Sequence, residues 1–238
     1  PPVGAVVVAG GRVVGEGWHR GPGTPHAEAM ALAEAGAAAR GATVVCTLEP
    51  CSHHGRTPPC AAALVAAGVA RVVIGALDPL ERDRAQGRRV LAEAGVEVAV
   101  AAGEEARRCA DLVAPFLTWA VTGRPLVTLK LATSLDGKVA TAGGESRWIS
   151  SPESRALVHR WRAEHDAVAV GIGTALADDP LLTARDVDLP FTPPRRVVFD
   201  SAARLPAAGA LARDAGSGPP VLVVAAAAAP AGRVAALE

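Results

Sequence analysis

The sequence has little aromatic content and no surplus of charge. Its 238 residues include no tyrosine, and 3% are aromatic, whereas 50% are hydrophobic. This composition excludes an extended disordered chain and is typical of a globular protein. The 24 basic residues equal the 24 acidic residues, so the chain has no net positive charge to attract nucleic acid, although equal totals leave a local basic patch open. We therefore expect no nucleic-acid partner.

Long hydrophobic runs are also absent. The most apolar stretch, Val221 to Ala229, is about half the roughly 20 residues that cross a bilayer. We therefore expect neither a membrane segment nor a signal peptide.

Cysteine is scarce as well, with four in the chain. Few cysteines without a secretory signal predict a reducing, cytoplasmic compartment.

Short Val/Ile runs alternate with longer Ala/Leu/Glu stretches, a pattern typical of α/β proteins. The segment Thr122–Pro125 interrupts it, because Gly123 and the pre-proline Arg124 disfavour helix. We therefore predict two domains, 1–122 and 123–238. The predicted strands are Ala5–Val8, Val13–Gly17, Ala42–Thr47, Ala70–Ile74, Val96–Val100, Leu126–Leu131, Ala167–Gly171, Arg196–Phe199 and Val221–Ala225. The predicted helices are His26–Ala39, Cys60–Ala67, Gly87–Ala94, Glu104–Trp119 and Ser151–Glu164, the last with Ser150 or Ser151 as its N-cap.

One combination of residues in the first half indicates metal chemistry. His26-Ala-Glu28 falls at a predicted helix start, and Pro50-Cys51 and Cys60 fall at the end of a strand and the start of a helix. One imidazole and two thiolates suit zinc, and three ligands leave a fourth position for water. Glu28 would then move a proton from this water to a leaving amine, as in zinc deaminases. Each piece alone is common, since buried cysteines are usually inert hydrophobes. Together they predict a catalytic zinc site.

The two cysteines are separated by a long segment, Cys51-Ser-His-His-Gly-Arg-Thr-Pro-Pro-Cys60. In this and in Pro2-Val-Gly-Ala-Val-Val7, Gly17-Trp-His19, His26-Ala-Glu28 and Leu48-Glu-Pro-Cys51, the sequence resembles the bifunctional riboflavin-biosynthesis deaminase/reductase family of RibD/RibG type. The resemblance implies a cytidine-deaminase-like three-layer α/β domain, followed by an α/β domain similar to dihydrofolate reductase.

For the first domain, the resemblance implies zinc held by His26, Cys51 and Cys60, with Glu28 as the proton shuttle. The substrate would be a phosphoribosylaminopyrimidine, facing His19 and Arg56. From the residues alone, a loop histidine and a solvated arginine are equally good interpretations of those two. Cys46 and Cys109 are predicted to be core residues, and His53 and His54 loop residues. The segment Asp78–Asp83 departs from the family, which has asparagine where this chain has Leu80, so base recognition here differs.

The second half carries weaker motifs of its own. Gly171-Ile-Gly173 follows a strand, but no third glycine stands at Leu176, so the dinucleotide fingerprint fails and a tight turn is an equal alternative. The resemblance implies an NADPH-dependent reductase, with Lys130 orienting or protonating the sugar. It further implies that the domain is incomplete, because family members continue beyond the equivalent of Glu238. By position, NADPH would contact Ala132, Trp148, Thr174, Asp178 and Ser201, and the phosphoribosyl substrate would contact Ser146, Arg162, Leu182 and Arg185.

Three functions are therefore considered. The first is deamination of 2,5-diamino-6-(5-phosphoribosylamino)pyrimidin-4(3H)-one, followed by reduction of the ribosyl group to ribityl by NADPH. The second is deamination alone, and the third is a non-catalytic protein with structural zinc. The expected partner is a small molecule, and a homo-oligomer is left open.

Overall fold

The computed structural model describes residues 1–80, 85–188 and 192–238. The chain forms two compact units, Pro1–Leu129 and Lys130–Glu238. The domain boundary at 122/123 stays a prediction. Of the segment Asp78–Asp83, residues 81–83 lie outside the described residues. In the described part of the chain, no helix has the length and apolar character needed to cross a bilayer.

The first unit is built on a five-stranded sheet with the order β2-β1-β3-β4-β5. β1 pairs antiparallel with β2 and β3, whereas β3, β4 and β5 run parallel. Apolar residues of α1 to α3 join those of the strands in one core cluster, and α4 and α5 contribute to a separate cluster. The elements are β1 (Gly4–Ala9), β2 (Arg12–Trp18), α1 (Ala27–Ala35), a 3₁₀ turn (Gly36–Ala39), β3 (Thr43–Leu48), α2 (Cys60–Ala67), β4 (Arg71–Ala76), α3 (Gln86–Glu93), β5 (Glu97–Val100), α4 (Gly103–Leu112) and α5 (Ala114–Thr122).

Helix α1 approaches β2 closely because small residues line both sides of the contact. Gly15 and Gly17 are two positions apart on β2 and are buried. A Cβ atom at Gly17 would lie 2.6 Å from the Cβ of Met30 and 2.7 Å from the nitrogen of Ala31. No side chain larger than hydrogen fits at this position without a shift. The contact therefore fixes the helix that follows His26.

Two helix predictions in this unit need correction. The helix predicted over Glu104–Trp119 is two helices, which meet at the buried Val113. Pro115 lies in the first turn of α5, where its missing N–H is tolerated, but it prevents one continuous helix. The helix predicted to reach Ala39 ends at Ala35, because Gly36 has a positive φ of 52° and a 3₁₀ turn follows.

The second unit contains a parallel three-stranded sheet with the order β6-β7-β8. Its core cluster includes Leu182, Val198 and Leu211. Of the two N-cap candidates for α6, the cap is Ser151, whose side chain accepts from the N–H of Ser154. The elements are α6 (Pro152–Ala163), β6 (Ala167–Gly171), α7 (Ile172–Asp178), β7 (Arg195–Phe199), α8 (Ala210–Asp214), β8 (Val221–Val224) and α9 (Ala231–Ala235).

The strand predicted over Leu126–Leu131 is wrong. These residues form neither helix nor strand, and the side chains of Val127 and Leu129 are each 81% exposed. A strand requires a neighbour for its backbone hydrogen bonds, and this segment pairs with no strand in the described residues. A segment with an apolar pattern forms a strand only where such a neighbour is present.

A fully buried arginine ties the sheet of the second unit to the loops beside it. Arg196 on β7 donates from Nη1 to Asp214 Oδ2 at 2.7 Å and to the Leu181 carbonyl at 3.3 Å. Its Nε donates to the Pro219 carbonyl at 3.0 Å, and its Nη2 donates to the same oxygen. A buried charge is tolerated only when it is paired and hydrogen-bonded, and here both conditions hold.

Candidate active site

Three predicted metal ligands meet at the ends of two helices. His26 directly precedes α1, Cys51 follows β3 in a loop, and Cys60 is the first residue of α2. The Cys51 carbonyl accepts from the N–H of Ala61 at 3.0 Å, which joins the loop to the first turn of α2. The ligand atoms of the three side chains all lie within 4.8 Å of one another.

The spacing of these atoms fits a zinc ion. Nδ1 of His26 lies 3.6 Å from Sγ of Cys51 and 3.3 Å from Sγ of Cys60. Tetrahedral zinc, with Zn–S of about 2.3 Å and Zn–N of about 2.0 Å, separates its ligands by about 3.5 Å. The other ring nitrogen of His26, Nε2, lies 3.1 Å from the hydroxyl of Thr57. A hydrogen bond at the second nitrogen fixes the tautomer of a metal-binding histidine.

The two thiols differ in acidity. Hydrogen bonds from Cys60, and then from His26, lower the pKa of Cys51 to about 4. The hydrogen bond to Cys51, followed by burial and the nearby Glu28, raises the pKa of Cys60. Cys51 is therefore the more acidic thiol of the two. A thiolate at Cys51 is the form that binds metal.

Glu28 lies in the first turn of α1 and is 4% exposed. Burial raises the pKa of its carboxyl, and a hydrogen bond with Cys60 opposes this shift. A raised pKa allows a carboxyl to hold and release a proton near neutral pH. The structure therefore places the buried carboxyl of Glu28 beside Cys60, and its role as a proton carrier stays a prediction.

A cavity of about 490 Å³ opens over this cluster, a volume usual for small-molecule sites. His19 and Arg56, the predicted substrate contacts of this domain, both line it, as does Leu80. The ring centroids of His19 and His26 are 5.2 Å apart, and burial lowers the pKa of His19. His53 and His54, predicted to be loop residues, also line the cavity.

Sequence reasoning missed two residues at this site. Thr57, which contacts His26, lies within the segment between the cysteines, but its hydroxyl carries no signal of that partner. Glu49, which directly precedes Pro50-Cys51, also lines the cavity and is 4% exposed. Its Oε1 accepts from the backbone N–H of Arg88 at 3.3 Å, near the start of α3. Such long-range contacts are invisible to local spacing.

In the second unit, the predicted substrate arginines come together around one residue. Nη1 of Arg162 donates to the carbonyl of Thr183 at 3.1 Å, and Nη1 of Arg185 donates to the hydroxyl of Thr183 at 3.0 Å. Leu182, another predicted contact, is buried next to them with a positive φ of 56°. Ser146 is half-buried, and no described contact joins it to this group.

The predicted NADPH contacts are brought together only in part. Arg147, the neighbour of Trp148, donates to the carbonyl of Asp178 at 3.3 Å. Thr174 and Asp178 are one turn apart on α7 and exposed, and the exposed Ser201 lies two residues after the end of β7. Ala132, the remaining predicted NADPH contact, and Lys130, predicted to act at the sugar, lie in a segment outside any helix or strand.

Comparison with known proteins divides the chain in two. Residues 1–76 match the family model described as the cytidine and deoxycytidylate deaminase zinc-binding region, and residues 125–237 match the RibD C-terminal domain. The riboflavin biosynthesis protein RibD of Aquifex aeolicus is 48% identical over 206 residues, covering 87% of this chain and 57% of that protein. RibD of Escherichia coli is 46% identical over 216 residues, covering 86% of this chain and 58% of that protein.

Solved structures give the same result. A RibD structure from Acinetobacter baumannii has a TM-score of 0.83 at 41% identity and covers 99% of this chain and 65% of its own. A diaminohydroxyphosphoribosylaminopyrimidine deaminase/5-amino-6-(5-phosphoribosylamino)uracil reductase from Thermotoga maritima has a TM-score of 0.85 at 38% identity, covering 98% and 66%. The chain thus spans less than two thirds of these relatives. Both of its units match parts of the same bifunctional architecture, and the chain belongs to the RibD family.

Proposed function

We propose that this chain catalyses the zinc-dependent hydrolytic deamination of 2,5-diamino-6-(5-phosphoribosylamino)pyrimidin-4(3H)-one in riboflavin biosynthesis. Its second unit is proposed to carry the NADPH-dependent reduction of the ribosyl group to ribityl. The single observation that supports deamination best is the buried Glu28, placed beside the ligand atoms of His26, Cys51 and Cys60 at one cavity.

His26, Cys51 and Cys60 would hold the zinc ion. When bound, zinc supplies Lewis acidity that makes water a nucleophile near neutral pH. The Glu28 carboxylate accepts a proton as this water attacks the ring carbon that carries the amino group. The same carboxyl then donates the proton to the departing nitrogen, which leaves as ammonia. Glu28 thus returns to its starting charge, and the ring keeps the oxygen.

His19 and Arg56 are proposed to contact the substrate at the cavity. Arg56 suits a phosphate because its planar guanidinium donates two parallel hydrogen bonds. Leu80 also lines the cavity but can offer no hydrogen bond to a base edge. Recognition of the pyrimidine therefore depends on other groups in this chain.

For reduction, the proposed NADPH contacts are Ala132, Trp148, Thr174, Asp178 and Ser201. The proposed substrate contacts are Ser146, Arg162, Leu182 and Arg185, with Lys130 at the sugar. These side chains fit a nucleotide only in part. The ring of Trp148 is 70% exposed and offers a stacking surface, but Lys130 and Ala132 lie in the segment without a paired strand.

The zero net charge, the small number of cysteines and the family likeness support the remaining proposals. These are a domain boundary at 122/123, a small-molecule partner in place of nucleic acid or membrane, and a cytoplasmic location. A homo-oligomer stays open. None of these affects the chemistry proposed for Glu28.

Replacement of the proton carrier tests the deaminase. We expect Glu28→Gln to keep its zinc and to lose ammonia release by about 10² to 10⁴-fold, the usual contribution of general acid–base catalysis. Zinc is measured by elemental analysis and ammonia by a coupled assay. The control is Glu34→Gln, an exposed residue of the same helix. Full ammonia release by the zinc-loaded Glu28→Gln variant would overturn the assignment of Glu28 as the proton carrier.

A deaminase without reductase activity is the second candidate, because the segment with Lys130 and Ala132 is exposed and unpaired. Absorbance of NADPH in the presence of the deaminated substrate separates the two candidates. Oxidation of NADPH at a rate comparable to ammonia release supports the bifunctional assignment. Unchanged absorbance, with ammonia release intact, supports deamination alone.

A further inference from the structure

The short loop that carries Cys51, which we call the metal loop (residues 49–51), is held by a helix on each side. On the side of α2, the Cys51 carbonyl accepts from the N–H of Ala61 at 3.0 Å. On the side of α3, Gly87 lies so close to the Pro50 carbonyl that a Cβ atom at Gly87 would overlap with its oxygen. Pro50 is itself fully buried between them. The position of Cys51 therefore depends on where α3 begins.

Helix α3 has no cap from its own sequence. The first four N–H groups of a helix lack partners within it, and a Ser, Thr, Asp or Asn at the N-cap usually accepts from one of them. The N-cap of α3 is Ala85, whose side chain has no acceptor. The acceptor comes from the metal loop, where Oε1 of Glu49 accepts from the backbone N–H of Arg88, the third residue of α3, at 3.3 Å. The helix dipole also favours a carboxylate at this end. Glu49 therefore caps α3.

This cap is costly, because the Glu49 side chain is 1% exposed. Its Oε1 also pairs with Nε of Arg88 at 3.4 Å, but Oε2 has no hydrogen-bond partner among the residues that the structure describes. An unsatisfied buried oxygen costs free energy, which a short polar side chain at position 85 would avoid. What such a local cap could not do is join the start of α3 to the metal loop.

We propose that Glu49 is a positioning residue of the zinc site. By capping α3, it keeps the first turn of this helix against Pro50 and holds the thiolate of Cys51 in place. His26 and Cys60 lie at the starts of helices, whereas Cys51 lies in a loop and depends on the groups around it. Groups of this kind alter metal affinity although they do not bind the metal. The proposal rests on the proposed deaminase, because the thiolate belongs to its site.

Zinc affinity tests this role. Glu49→Met has a side chain of similar length without an oxygen, whereas Glu49→Gln keeps an oxygen that can accept from the N–H of Arg88. We expect the zinc Kd, measured by competition with a chromophoric chelator, to rise at least about tenfold in Glu49→Met and to stay within about threefold of the parent in Glu49→Gln. In cobalt-loaded protein, the thiolate-to-cobalt charge-transfer band should weaken in Glu49→Met and keep its parental intensity in Glu49→Gln, because only the former displaces a thiolate.

A second variant and two controls separate positioning from stability. Gly87→Ala pushes Pro50 away from α3 and should weaken zinc binding as Glu49→Met does. Leu91→Val reduces a buried side chain of the same helix away from the cap, and Arg88→Met removes the guanidinium but keeps the backbone N–H. We expect both controls to bind zinc within about threefold of the parent, as does a chain whose α3 remains on the metal loop. Circular dichroism confirms that each variant is folded.

Parental zinc affinity in Glu49→Met would overturn the proposal, as would an equal loss in Glu49→Gln, Leu91→Val or Arg88→Met. Ammonia release is measured on the same zinc-loaded samples. A parent that binds zinc but releases no ammonia refutes the proposed deamination, and the expected order of zinc affinities in those samples still supports the role of Glu49. A parent that binds no zinc contradicts both.

Discussion

The candidate functional residues of the two units differ in burial and in contact with one another. In the first, His26 and Glu28 lie at the start of α1, Cys60 begins α2 and Cys51 follows β3, and their side chains contact one another. In the second, Thr174, Asp178 and Ser201 lie exposed on the ends of elements. A site that brings thiols and a carboxyl together must be built into the core, because these groups need shared protons and hydrogen bonds. A nucleotide surface can instead be distributed over loops.

We expect each unit to be stabilised by its own set of buried contacts. The largest effect is expected for Arg196→Met, which leaves Asp214 and two carbonyls without their buried partner. We expect a loss of about 3 kcal/mol in the unfolding free energy of the second unit. Urea unfolding followed by hydrogen exchange checks this, with the exposed neighbour Arg195→Met as control. Equal destabilisation of both units would show that they do not fold independently.

The complementary change is Gly17→Ala in the first unit. The added Cβ meets Met30 and the backbone of α1, so the helix must move away from β2. Overpacking of this kind costs about 1–3 kcal/mol, and the displacement of His26 should weaken zinc binding. Gly4→Ala is the control, because its Cβ would lie 3.9 Å from the methyl carbon of Thr47, an ordinary contact. Thermal unfolding and a zinc titration measure the two effects, and parental values in Gly17→Ala would contradict the prediction.

The smallest expected effect concerns the protonation of His159 in the second unit. Burial, and then the charges of Arg185 and Arg162, lower the pKa of His159 below its usual 6.5, although Thr183 and Asp186 oppose this. Just below pH 6.5 the unfolded chain therefore binds a proton that the folded unit does not, so stability falls as the pH decreases from 6.5 towards the lowered pKa and changes no further below it.

In His159→Gln this part of the pH dependence should vanish. We expect a difference below about 1 kcal/mol, because one pKa unit corresponds to about 1.4 kcal/mol and solvent screens a partly exposed ring. Unfolding free energies of parent and variant, measured from pH 5 to 8 without phosphate, provide the check. Curves that run parallel below pH 6.5 would show that the imidazole is not perturbed.

Local pattern predicted most elements of the first unit, because each of its strands lies beside another and β1, β3 and β4 each contribute buried apolar residues to the core. The metal ligands could be predicted from the sequence as well, because one histidine and two cysteines are residue types that bind zinc. Contacts that depend on the tertiary structure could not be predicted in this way. Thr57 at His26 and Glu49 at α3 are examples, because a hydroxyl or a carboxylate carries no mark of a partner elsewhere in the chain.

The predictions from apolar pattern were wrong where the structure does not bury the apolar residues or divides the predicted element. Leu126–Leu131 has the apolar residues of a strand but no strand beside it in the described part of the chain, so its pattern is not realised. The predicted helix over Glu104–Trp119 divides at Val113, although Pro115 was visible in the sequence. Apolar residues indicate which segments can be buried. Whether such a segment is buried depends on the helices and strands that lie beside it.

The contact of Gly15 and Gly17 with α1 has a consequence for the conformational states of the metal site. Most helix–sheet contacts involve side chains that exchange between rotamers, and such exchange lets a helix occupy slightly different positions. Here hydrogen atoms of glycine face the backbone of the helix, so the contact has no rotamers to exchange. The contact therefore restricts the positions that α1 can take against β2, and with them those of Glu28 in its first turn and of His26 directly before it.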